Sequence, residues 1–92
     1  MQITTPRLVP TPPSKRLDVY IGDERVGYIT PYQYGRGYIT RVRSDAHGPA
    51  FVPLPLLPSQ PHGTHVLPSK AKALAQVAEA AYFTGLVTKV QA

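Results

Sequence analysis

Residues 27–41 read GYITPYQYGRGYITR, so the tetrapeptide Gly-Tyr-Ile-Thr stands at 27–30 and again at 37–40. Four residues are too few for a duplicated unit. Two runs of β-branched and aromatic residues around a glycine-rich centre predict a hairpin instead. Pairing Ile29 with Ile39 sets Tyr28 opposite Thr40, Thr30 opposite Tyr38 and Val26 opposite Val42, all strand-favouring neighbours. The predicted strands are VGYIT (26–30) and YITRVR (38–43).

Upstream, RLDVYI (16–21) alternates Leu17, Val19 and Ile21 with Arg16, Asp18 and Tyr20, a period of two. A turn with Asp23-Glu24 at its tip places Ile21 opposite Val26, Val19 opposite Tyr28 and Leu17 opposite Thr30, on one apolar face. The other face then collects Arg16, Asp18, Tyr20, Arg25, Ile29, Ile39, Arg41 and Arg43. Two readings fit such a face. It is a solvated surface whose arginine stems cover apolar atoms, or it docks on phosphates and base edges.

SKAKALAQVAEAAYFTG (69–85) predicts one helix, with Ser69 as N-cap and Gly85 at the left-handed C-terminal position. Leu74, Val77, Ala78 and Ala81 recur at helical spacing, while Lys72, Gln76 and Glu79 lie opposite. The stripe is expected to pack on the Leu17–Val19–Ile21 face. Lys70 and Lys72 sit in the first turn, the unfavourable end for cations by about 0.3–1 kcal/mol each. An anion there would meet backbone N–H groups and two ammonium groups together.

Between sheet and helix runs HGPAFVPLPLLPSQPHGTHVLP (47–68), with six of the eleven prolines. Pro53 and Pro55 lose N–H groups on the same side, which suits an edge strand; extended polyproline structure fits equally. Residues 1–15 hold four prolines and three threonines around few large apolar side chains, the composition of a flexible arm. A single small α+β domain is expected over 16–92.

The chain has 92 residues, no cysteine and a formal charge of +5, with a pI near 9.8. The missing cysteines exclude disulfides and thiol chemistry. Neither a secretory signal nor an apolar run of roughly 18 residues occurs, so a soluble, cytoplasmic protein without membrane contact is expected. The charge favours a polyanionic partner, and so small a core makes a homodimer an ordinary route to further burial. His62, His65, His47 and Asp45 are metal-type ligands on glycine- and proline-rich segments, a poor preorganised set, so no metal and no cofactor are expected. No nucleophile elbow or P-loop occurs, and no enzymatic activity is expected.

LPSKAKALAQVAEAA (67–81), GYIT (27–30) and GYITRVR (37–43) resemble the helix and first two strands of AP2-type domains. The layout is similar to the arm-binding N-terminal domains of tyrosine integrases too. Leu67 and Ser69 stand where AP2-type domains carry an aromatic and a threonine, and Ala73, Ala80 and Ala81 fall on their alanines. The chain departs from them in having no tryptophan, Ala71 for an acidic residue and a proline-rich stretch for the third strand. The resemblance implies binding of double-stranded DNA by the sheet, with Arg41 and Arg43 as contacts. The chain also resembles small phage-type proteins made of a hairpin, a third strand and a helix, which implies binding of a host protein.

The expected fold is therefore a three- or four-stranded antiparallel sheet with one C-terminal helix across one face. The leading functional expectation is a non-enzymatic regulator or accessory factor binding duplex DNA through Arg16, Arg25, Arg41, Arg43, Lys70 and Lys72. The alternative is a protein-interaction module using Tyr32, Tyr34, Phe51, Leu54 and Leu57.

Overall fold

The structure, a computed structural model, describes residues 5–45, 50–57 and 66–87. Five strands, β1 (Arg7–Pro10), β2 (Leu17–Ile21), β3 (Glu24–Pro31), β4 (Tyr38–Ser44) and β5 (Ala50–Val52), precede one helix, α1 (Lys70–Phe83). The strands form a single antiparallel meander in the order β1-β2-β3-β4-β5. The fold is α+β as expected, with a wider sheet. Arg7–Pro10 belongs to the segment expected as a flexible arm, yet it pairs with β2 from Arg7↔Tyr20 to Pro10↔Leu17. Edge strand β5 ends at Val52, before Pro53 removes a ladder donor.

The β2–β3 turn differs from expectation. Ile21 pairs with Glu24, so the tip is Gly22-Asp23 rather than Asp23-Glu24. Gly22 has φ 63, a left-handed value that glycine supplies at the first position of a two-residue hairpin loop. The pairing then skips from Tyr20↔Arg25 to Val19↔Gly27, leaving Val26 as the extra residue of a β-bulge. Val26 and Gly27 are both buried on the helix side, and Leu17 pairs with Ile29 rather than Thr30.

The β3–β4 register is also one residue away from the expected one. Ile29 pairs with Thr40, Thr30 with Ile39 and Tyr28 with Arg41. A slip of one exchanges the faces of a strand. The two Gly-Tyr-Ile-Thr copies therefore point in opposite senses: Ile29 is wholly buried beneath α1, and Ile39, beside Thr30, faces away. Burial of Ile29, worth about 1.5–3 kcal/mol, favours this register over one that leaves both isoleucines on the open face.

Helix α1 crosses β4, β3 and β2 on one side. Ser69 caps it, its hydroxyl oxygen accepting from the Lys72 N–H. At the other end the Gly85 N–H donates to the Tyr82 carbonyl at 3.2 Å and the Leu86 N–H to the Ala81 carbonyl at 2.9 Å. With Gly85 at φ 78, this is a Schellman ending. Ala73, Val77, Ala78, Ala80 and Ala81 are buried; Leu74, expected among them, is only partly so. They pack against Val19, Ile21, Val26, Ile29 and Val42, with Leu57 and Leu67 closing the core.

A side chain at Gly27 has no room, because a Cβ there overlaps the Arg41 carbonyl oxygen and lies 2.7 Å from Val77 Cγ1. Gly27→Ala is expected to cost about 1–3 kcal/mol by overpacking. A urea melt checks this: the midpoint should fall with the slope unchanged.

Candidate nucleic-acid interface

With the helix on one side, the other side of the sheet has no covering element among the described residues. Register assigns its side chains: Arg7 and Val9 from β1, Asp18 and Tyr20 from β2, Arg25, Tyr28 and Thr30 from β3, Ile39, Arg41 and Arg43 from β4, and Phe51 from β5. Arg16, just before β2, joins them by lying over the Tyr28 ring. All four arginines expected on this face are there. Ile29, expected with them, is replaced by Tyr28, which the bulge and the slipped register turn outward.

Three arginines stack on rings. The guanidinium of Arg7 sits 5.0 Å from the Tyr20 centroid, Arg16 5.2 Å from Tyr28 and Arg25 4.9 Å from Phe51. The rings of Tyr28 and Phe51 are 5.2 Å apart and tilted by 60°. Each contact is worth about 0.5–1 kcal/mol at a partly exposed site and holds a charged side chain in a defined direction. Arg7 also donates to the Gly22 carbonyl at 3.2 Å.

Asp18 is the acid in the middle of this surface, its side chain only 5 % exposed. Its Oδ1 lies 3.3 Å from Arg16 Nε and its Oδ2 3.7 Å from Arg25 Nη1. The first pair is close but not aligned as a hydrogen bond, so the attraction is one of charge.

Arg43 and Arg41, both on β4, differ in kind. Arg43 Nη1 donates to the Arg25 carbonyl at 2.8 Å and to Glu24 at 3.3 Å, while its Nε lies 3.3 Å from Asp45. Its side chain is 21 % exposed, and it ties β4 to the β2–β3 turn. Arg41 stands opposite Tyr28 and, among the described residues, has no ion pair or ring contact. Its guanidinium fork, with donors suited to a bidentate acceptor, is engaged by none of the described residues.

The remaining expected residues lie elsewhere. Lys70 and Lys72 belong to the helix layer, behind the sheet, and the Lys72 N–H is already taken by Ser69. Tyr34 is 80 % exposed in the β3–β4 loop, its ring edge-on to Tyr32 at 5.8 Å. Leu57 is not a surface residue: it is buried in the core, and Leu54 packs partly against it. Phe51 belongs to the arginine face. His47, His62 and His65 lie outside the described residues, among which no group of His, Cys, Asp and Glu gathers as a metal site. No helix among the described residues is long and apolar enough to cross a membrane.

Sequence patterning had left three of these residues off this face: Arg7 in the flexible arm, Tyr28 on the apolar side and Phe51 in the proline-rich stretch assigned to a protein contact. The signal for Arg7 was the short apolar pair Leu8-Val9 beside it, masked by the surrounding prolines. Comparison with protein-family models, curated proteins and solved structures finds no match to this chain.

Removal of Arg43 should act on stability and removal of Arg41 should not. Arg43→Ala is expected to lose about 1–2 kcal/mol, below the full value of a charged hydrogen-bond set because its partners are half in water. Arg41→Ala should stay within about 0.5 kcal/mol of wild type in the same thermal or urea melt.

Proposed function

We propose that this chain is a small non-enzymatic protein that binds double-stranded DNA through the open face of its sheet. One observation carries it: five arginines share that face, three of them already held over aromatic rings. An arginine that is ordered before binding loses less side-chain entropy on contact. Guanidinium groups match phosphate oxygens and the major-groove edge of guanine.

Dimensions agree with a duplex. Adjacent strands lie about 4.8 Å apart, and the roughly 12 Å major groove admits a two-stranded ribbon such as β3–β4. Arg41 then sits on the inserted part, while Arg7, on β1, falls to the flank where a phosphate backbone runs. The hydroxyls of Thr11, Ser14, Ser69 and Thr84 bond backbone groups, an arrangement of turns and caps rather than of a nucleophile and its base.

A competing role as a protein-interaction module rests on Tyr34, which stands out beside Tyr32 at the β3–β4 loop. It predicts contacts indifferent to Arg41 and to salt.

Fluorescence anisotropy of a labelled random-sequence duplex distinguishes the two. Affinity should fall steeply between about 50 and 200 mM salt through counterion release. Arg41→Ala should weaken binding about tenfold without loss of fold. Asp18→Asn should move two quantities in opposite directions, raising duplex affinity by unmasking Arg16 and Arg25 while lowering stability. A duplex that does not bind at low salt, or binding untouched by Arg41→Ala, would overturn the proposal.

A further inference from the structure

We propose that the concavity between the start of β2 and the start of α1 is a phosphate-binding pocket. It takes the tetrahedral oxyanion of a phosphate ester, and in its nucleic-acid form it rests on the sheet-face reading above. The concavity is open to solvent, with a volume of about 350 Å³, and is lined by Ser14, Lys15, Arg16 and Lys70 together with the apolar Leu17 and Tyr38. No acidic residue lines it. Its cations come from segments more than fifty positions apart in sequence, brought together only by the fold.

The turn that presents them is fixed. Thr11 Oγ1 and Thr11 N both donate to the Arg16 carbonyl, at 2.9 and 3.2 Å, and the Arg16 N–H donates to Ser14 Oγ at 3.0 Å. Because the Ser14 oxygen accepts in that bond, its O–H remains a donor for an oxyanion. Lys15 and Lys70 are exposed and, among the described residues, neither has a carboxylate within ion-pair distance. An anion between them removes their mutual repulsion and completes the set of opposite charges.

Arg16 connects this pocket to the sheet face, since it lines the one and lies over Tyr28 on the other. Of the pocket's other lining residues, Leu17, Tyr38 and Lys70 belong to the helix side of the sheet, so a duplex phosphate reaches the pocket only past the end of β2 at Arg16. The same chemistry fits a free phosphate compound, and two measurements separate the sources.

The first is the salt slope of duplex binding for wild type and Lys15→Ala/Lys70→Ala. Loss of one neutralised phosphate lowers the slope by about 1 and weakens binding uniformly across sequences. The second is a titration of the protein alone with inorganic phosphate, read from the amide resonances of Ser14, Lys15 and Lys70 with the double variant as control. A reduced slope assigns the pocket a backbone phosphate. An unchanged slope with saturable shifts at those amides assigns it a free phosphate compound. An unchanged slope without shifts overturns the pocket and leaves the sheet face standing. If the wild-type protein binds no duplex, the sheet-face reading fails alone, and the phosphate titration decides the pocket.

Discussion

The close approach of α1 to the sheet at Gly27 governs the rest of the structure. Val77 comes down where a side chain would otherwise stand, with the Arg41 backbone beneath it. For Gly27 to lie there it must face the helix, opposite Val42. That requirement sets the β3–β4 register. It also forces the bulge at Val26, since Val26 must stay on the buried side while Gly27 takes the helix contact. Ile29 follows into the core, and Tyr28 is turned outward between them.

The composition of the open face is a consequence. One helix covers β2, β3 and β4 from one side, so a sheet of this width keeps a second side without a layer among the described residues. Two aromatic rings pushed together on it, Tyr28 and Phe51, would form an apolar patch. Arg16 and Arg25 lie over those rings, and Asp18 beneath binds both guanidinium groups. The stems bury against carbon while the charges stay in water. Ring, cation and carboxylate thereby hold one another in place.

Local features were legible in the sequence to the extent that single residues determine them. Ser69 and Gly85 marked both ends of α1 because capping depends on one hydroxyl and one positive φ. The period of two in RLDVYI identified β2, and the four arginines were placed on the correct face. What was not legible was register, which depends on contacts distant in sequence. The repeat at 27–30 and 37–40 invited a match of like with like. The true pairing is offset because Val77, fifty positions beyond Gly27, requires a glycine under it. Arg7 and Phe51 were not placed on the arginine face for the same reason: their strands are short, bordered by proline, and gain their place only from the neighbours they pair with.

A face built this way also limits what it can bind. An apolar partner would have to displace guanidinium groups from the rings and leave Asp18 with a weakened counter-charge, a cost of order a kcal/mol for each contact broken. A polyanion leaves the rings in place, because a phosphate approaches from the water side while the ring supports the cation from behind, and it meets only the competition of Asp18 for Arg16 and Arg25. Cation–π contact and phosphate contact use opposite faces and edges of the same planar group, so both are satisfied at once. Arg41, opposite Tyr28 but with no ion pair or cation–π contact among the described residues, has its fork unengaged by them. The chemistry of the face thus supports the proposed partner, one that is negative and hydrogen-bond accepting along its length.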